Sequence, residues 1–208
     1  MSQQQVYDHF AKNTDIETQD RLSGSVPLRV EKEIINKYKP KTLLDIGCGS
    51  GNRMFPFYRE QKIKYKGIEK FSEVIEQSKY QNDIFCLDIG SENFIKDFRQ
   101  LDKGNYEMVV LFGVINAFID ENLRRNAWKN LNNLINKDNI LVVNTLSHFD
   151  WFNRNDIGQI ITLPQIPPQY FYSEKELKKI FQNNGFKIKE EYEDDYGFIK
   201  VRYYVLIK

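Results

Sequence analysis

Three glycines at alternate positions, Gly47, Gly49 and Gly51, follow an acid, Asp45, in the apolar run that begins at Leu43. Glycine has no Cβ, so a segment built this way turns sharply and brings bare backbone close to a ligand. Two further acids stand at the ends of short runs: Glu69 after Tyr65-Lys66-Gly67-Ile68, and Asp88 after Ile84-Phe85-Cys86-Leu87. Glu69 lies roughly twenty residues beyond the glycines, where a strand-end carboxylate accepts hydrogen bonds from both hydroxyls of a ribose. A hydrogen bond to a charged group contributes about 1.5–3 kcal/mol. The glycine spacing discriminates between nucleotide-like ligands. A dinucleotide fingerprint, G-x-G-x-x-G, counted from Gly47 needs its third glycine at position 52, which is Asn52. The Gly-Lys-Ser/Thr ending of a phosphate-binding loop is absent. Taken singly, the glycines read equally as a structural turn and Glu69 as a solvated carboxylate. In company they read as a cofactor site.

The run Asp45-Ile46-Gly47-Cys48-Gly49-Ser50-Gly51 resembles motif I of the class I S-adenosylmethionine-dependent methyltransferases. The resemblance covers nearly the whole chain, strongly from 40 to 146, more loosely from 171 to 208, and in general character only over 1–24 and 147–170. It implies that Asp45, Gly47, Cys48, Gly49 and Gly51 hold S-adenosyl-L-methionine, with Glu69 on the ribose. Asp88 would accept from the exocyclic amine of the adenine and Ile89 would pack on its ring. Phe112, like Asp45, Glu69 and Asp88, falls at the carboxyl end of its strand, which places it around the same crevice. Arg53 is either a partner for the methionine carboxylate or an exposed helix arginine. Gly113 to Phe118 resembles the family's motif IV region without the Asp/Asn-Pro-Pro-Tyr of amino-methylating DNA enzymes. Ile166-Pro167-Pro168-Gln169-Tyr170 looks like that sequence but stands far downstream.

The implied activity is methyl transfer to an O or N atom of a small-molecule acceptor. Alignment at near-attack distance supplies about 7–11 kcal/mol in favourable cases, so a strong base is not obligatory. Where the acceptor is a hydroxyl, His148 is the candidate base, with an unperturbed pKa near neutrality; the alternative is a structural or exposed histidine. An aromatic segment holding Trp151, Tyr170 and Tyr172, with Tyr7 and Tyr196 as additions, suggests a partly enclosed acceptor pocket. Competing readings are a protein or RNA methyltransferase that needs a partner, and a non-catalytic domain that only binds the cofactor.

These residues must be positioned by elements. Leu43–Ile46, Tyr65–Glu69, Ile84–Ile89, Tyr106–Phe112 and Asn139–Leu146 read as buried parallel strands. Helical spacing predicts helices over 27–38, 53–61 (with Pro56 in the first turn), 72–80 with Ser72 as cap, 92–101 after Ser91, a helix capped by Asp120, and one opened by Ser173-Glu174-Lys175-Glu176 and closed at Gly185. Trp128 reads as packing. Residues 186–193 and 199–208 alternate like two antiparallel strands. Five strand–helix alternations followed by a hairpin predict an α/β fold with a mostly parallel sheet. The resemblance makes it Rossmann-like and doubly wound, seven strands in the order 3-2-1-4-5-7-6 with helices on both faces. Residues 1–208 are expected to form a single methyltransferase domain. Within it, 1–24 is a lid or an edge-packed cap centred on Tyr7-Asp8-His9-Phe10-Ala11, joined through a hinge at Ser23-Gly24-Ser25. Residues 147–172 form a substrate-side insertion without regular structure.

Composition narrows the class. Hydrophobic residues at 41% and charged ones at 28% of 208 residues suit a globular protein, and a net charge of +1 gives no general attraction to nucleic acid or anionic membrane. Cys48 and Cys86 with His9 and His148 show no metal-ligand spacing, so no metal is expected. No secretion signal or membrane-spanning run is visible, which makes a cytoplasmic monomer or homodimer the expectation.

Overall fold

The computed structural model describes residues 2, 5, 29–148, 159–163, 166–195 and 200–208. Tyr7, the 8–11 segment, the 23–25 hinge, Trp151 and Tyr196 lie outside them, as does the side chain of His148.

From residue 29 the described chain forms helix α1 (Arg29–Tyr38), then alternates strand and helix: β1 (Thr42–Ile46), α2 (Phe55–Glu60), β2 (Lys64–Glu69), α3 (Ser72–Glu76), β3 (Ile84–Cys86), α4 (Phe94–Leu101), β4 (Met108–Leu111), α5 (Glu121–Leu134) and β5 (Ile140–His148). A hairpin follows, β6 (Gln159–Leu163) and β7 (Ile166–Phe171), then α6 (Glu174–Asn183), β8 (Lys187–Asp195) and β9 (Lys200–Ile207). The main sheet has seven strands in the order β3-β2-β1-β4-β5-β9-β8. Without the inserted hairpin this is the expected order. β1 to β5 pair in parallel, and β9 runs antiparallel to both β5 and β8.

The central strands are mostly apolar because both faces are covered, with polar residues such as Asp45 and Asn144 toward their carboxyl ends. Leu44, Ile46, Val109, Leu111, Leu141 and Val143 face a core closed by α4, α5 and α6. Their neighbours Leu43, Met108, Val110 and Val142 face a second core under α1 and α2. Period-two alternation thus feeds two layers from one strand.

Several boundaries differ from the sequence reading, each for a local reason. The described part of the insertion is regular: β6 and β7 pair antiparallel as a separate two-stranded sheet, and Pro167 and Pro168 hid this because proline is rare inside strands. Helix α3 stops at Glu76 rather than reaching Tyr80. Ser78 takes the chain out of the helix: its hydroxyl donates to the Ser50 carbonyl and accepts from the Tyr80 N–H, the competition with helical bonding that serine offers. Ser72 is the first helical residue, with Phe71 at the cap position. Ser91 bonds the Asn93 N–H and closes a turn before α4 instead of capping it. Asp120 and Ser173 cap α5 and α6 as expected, accepting from backbone N–H groups in the first turns. Gly185 follows α6 with φ +73°, and Trp128 packs edge-on against Phe181.

Candidate functional site

The sheet reverses its winding direction at β1, which lies between β2 and β4. In open α/β sheets the crevice outside the strand carboxyl ends at that point is where ligands bind. The chain leaves β1 there through Gly47, Gly49 and Gly51, with φ of +73°, +57° and +74°. An L side chain is strained in that region. Space is also closed to one: a Cβ on Gly47 would overlap a Val114 methyl, and one on Gly51 would lie 2.6 Å from the Phe55 ring.

The turn is tied inward. The N–H groups of Gly47 and Cys48 both donate to the Ile68 carbonyl, at 2.7 and 3.1 Å. Gly51 N–H donates to the Cys48 carbonyl at 3.0 Å, and Gly49 N–H donates to Glu69 Oε2 at 3.0 Å. A phosphate cradle works by presenting free N–H groups. Here those of the glycines are consumed internally, which suits a ligand without phosphates.

Glu69, 8% exposed, ends β2. Its Oε1 accepts from the Lys70 and Phe71 N–H groups at 2.8 and 3.1 Å. A carboxylate offers about four acceptor positions, and three are filled by backbone. The carboxylate is therefore held rigidly beside the turn with acceptor capacity left. Burial raises its pKa, and the three N–H bonds pull the other way.

Asp45 is 4% exposed and points to the α2 side, where the Tyr58 hydroxyl donates to Oδ2 at 2.9 Å. Burial pushes its pKa up to about 7, opposed by the Tyr58 bond and by the charge of Arg53. Cys48 turns its sulfur toward Gly67 on β2, and burial followed by Asp45 and Glu69 pushes its thiol up. Its backbone, not its side chain, belongs to the turn. Asp88 follows β3, accepts from the Gly90 N–H at 2.8 Å and pairs with Lys70 at 2.7 Å. Ile89 is buried in the first core. Phe112 follows β4 with its ring edge-on to Tyr203.

The structure thus brings Asp45, Gly47, Cys48, Gly49, Gly51, Glu69, Asp88 and Phe112 to one edge of the sheet. The acceptor-side residues divide differently. Tyr170 and Tyr172 are buried, at 8% and 4% exposure. The Tyr170 hydroxyl donates to Glu176 at 2.7 Å with the Arg124 guanidinium over its ring, and the Tyr172 hydroxyl donates to the Ile115 carbonyl. Both hydroxyls already have protein partners. His148 ends β5, its backbone opposite Lys200 after a register shift.

Three buried asparagines escaped the sequence reading. Asn144 accepts from the Gly113 N–H at 2.6 Å. Asn130 donates to the Ile89 and Ser91 carbonyls, both at 2.7 Å. Asn116 bonds β5 and β7. Each pins a loop at the same sheet edge. An amide inside an apolar stretch, as in Val114-Ile115-Asn116-Ala117-Phe118, was the signal available.

The chain matches the family model described as a methyltransferase domain over residues 9–191. No curated protein matches it in sequence. Among solved structures it is similar to the Burkholderia thailandensis 1,6-didemethyltoxoflavin-N1-methyltransferase bound to 1,6-didemethyltoxoflavin and S-adenosylhomocysteine, at 10% identity, 100% and 91% coverage of the two chains, and a TM-score of 0.73. It is similar to the magnesium protoporphyrin IX methyltransferase of Synechocystis PCC 6803 with bound S-adenosylhomocysteine, at 14% identity, 99% coverage of each chain and a TM-score of 0.67. A glycopeptide N-methyltransferase shares 11% identity over 90% of this chain and 99% of that one, with a TM-score of 0.68. At these identities the likeness is one of fold.

Proposed function

Because the chain belongs to the methyltransferase domain family and is an S-adenosylmethionine-dependent enzyme, we propose that it methylates an oxygen or nitrogen atom of a small-molecule acceptor. The observation that carries the reading is the Glu69 carboxylate held by Gly49 N–H against a turn whose other glycine N–H groups are spent. Such a site offers acceptors to a ribose and no anion cradle to a pyrophosphate. S-adenosylmethionine supplies an activated methyl on a sulfonium. The protein's work is then to bind, orient and exclude water. In this reading Gly47, Cys48, Gly49 and Gly51 give the backbone floor, Asp45 and Glu69 the acceptors, Asp88 and Ile89 the adenine side, and Phe112 the far wall. His148 is the proposed base for a hydroxyl acceptor. Tyr7 and Trp151 are proposed acceptor contacts, while Tyr170 and Tyr172 contribute through the hairpin they anchor, not through their hydroxyls.

Similarity in fold to enzymes named for toxoflavin-precursor and glycopeptide N-methylation favours an organic acceptor, and no helix among the described residues is long and apolar enough to cross a membrane. The test is calorimetric titration with S-adenosylhomocysteine and with NAD, followed by incubation with S-adenosylmethionine and fractionated cell metabolites. The expected result is binding of S-adenosylhomocysteine alone, and a low-molecular-weight product that gains one methyl mass without any partner protein. Binding of NAD in its place, or methylation only of macromolecules, rejects the proposal.

A further inference from the structure

Asn116, 2% exposed, lies in the 3-10 turn Ile115–Ala117 that follows β4, among apolar neighbours where a leucine would carry no desolvation cost. Both polar atoms of its amide are bonded. Oδ1 accepts from the Leu146 N–H at 3.2 Å, and Nδ2 donates to Thr145 Oγ1 at 3.2 Å and to the Tyr170 carbonyl at 2.8 Å. Two of those partners belong to the end of β5 and the third to β7. A second bond makes the same join: the Tyr172 hydroxyl donates to the Ile115 carbonyl at 3.2 Å. In the other direction, Val114 lies against Gly47, where any added Cβ would meet it, and Gly113 is tied to Asn144. A continuous path of packed and bonded groups therefore runs from the glycine turn through Val114 and Asn116 to the inserted hairpin.

We infer that Asn116 is a positioning residue, setting the acceptor-side hairpin against the cofactor turn so that filling the turn is felt at Tyr170. Asn116 touches no reacting atom; it acts through Val114 on one side and β7 on the other. An amide does this where an apolar side chain cannot, because it gives the Leu146 N–H an acceptor and the Tyr170 carbonyl a donor at once.

The inference rests on the cofactor reading above, and its test separates the two. Hydrogen exchange is followed over residues 166–172 with and without S-adenosylhomocysteine, and the affinity of the same nucleoside is measured by calorimetry. In the unaltered protein S-adenosylhomocysteine should slow exchange there by about tenfold or more, although none of those residues is assigned to its site. Asn116→Ala should bind it within about threefold of the unaltered affinity and lose the slowing. Asn116→Leu keeps the bulk but neither accepts from Leu146 nor donates to Tyr170, and should also lose it. Tyr172→Phe removes the bond to the Ile115 carbonyl, together with the hydroxyl's contact with Trp128 inside the first core, and preserves the ring; it should lessen the slowing even if Asn116→Ala does not fold. S-adenosylhomocysteine that binds without changing exchange over 166–172, or an Asn116→Ala protein that responds like the unaltered one, overturns the inference. An unaltered protein that does not bind S-adenosylhomocysteine removes the cofactor reading, and this one with it.

Discussion

At the scale of single residues, burial moves the titration of Asp45 to near neutrality. It is buried, its bonded oxygen faces a neutral phenol, and its folded-state pKa stands at about 7. An unfolded aspartate titrates near 3.9. Below pH about 4 both states are protonated and the group has no effect on stability. Between about 4 and 7 the folded state holds a proton that the unfolded state has lost, so stability falls as pH rises, by up to about 1.4 kcal/mol per unit. Above about 7 the penalty is constant. Asp45→Asn keeps an oxygen for Tyr58 and does not titrate. Urea denaturation of both proteins from pH 4 to pH 8 should show the variant gaining on the parent up to about pH 7 and no further; a difference independent of pH rejects this account. The acids and glycines were legible in the sequence because their meaning is local: a positive φ, a strand end, a fixed spacing. Asn116, Asn130 and Asn144 were not, because the partners of an amide donor such as Asn130 stand about forty residues away and are chosen by topology.

At the scale of elements, the strands of the main sheet and the caps Asp120 and Ser173 were legible for the same reason; the caps expected at Ser72 and Ser91, and the hairpin, were not. Asp120 accepts from Asn122 and Leu123 N–H groups on its own helix, a pattern written in consecutive residues. Among the described strands β6 and β7 pair only with one another, and Pro167 and Pro168 near the start of β7 break the usual strand signature. Helix α5 allows stability and site geometry to be separated. Its cap, Asp120, serves the helix. Asn130, near its other end, donates to the two carbonyls of the loop after β3 that is proposed to face the adenine. Asp120→Ala should cost about 0.5–2 kcal/mol, and Asn130→Ala about 1–3 kcal/mol by leaving two carbonyls short of a donor. Only Asn130→Ala should also weaken S-adenosylhomocysteine binding, measured by calorimetry well below either melting transition. Equal affinities in the two variants would mean that the amide stabilises α5 without shaping the site.

At the scale of the molecule, the two cores are joined by the sheet, and β9 is the strand on which the join depends. It lies between β5 and β8, so seven-strand order requires it in place. Tyr204 and Leu206 enter the core under α5 and α6; Val201, Tyr203 and Val205 enter the core under α1 and α2. Tyr203 also reaches the site, edge-on to Phe112, while its hydroxyl donates to the buried Glu31. Alternation made β9 legible as a strand, yet its place beside β5 came only with the family resemblance, since no local feature says which strand a late segment joins. Removing residues 200–208 would strip β8 of its pairing, expose an edge of β5 and empty positions in both layers. Loss of one large buried side chain costs about 2–5 kcal/mol, and the total stability of a domain is only about 5–15 kcal/mol. The shortened chain should therefore show no cooperative thermal transition and no near-ultraviolet dichroism, and S-adenosylhomocysteine should not rescue it, because the wall carrying Phe112 loses its support. A cooperative transition together with retained binding would show instead that β1 to β5 and their helices hold the cofactor edge unaided, and that β9 serves only the acceptor side.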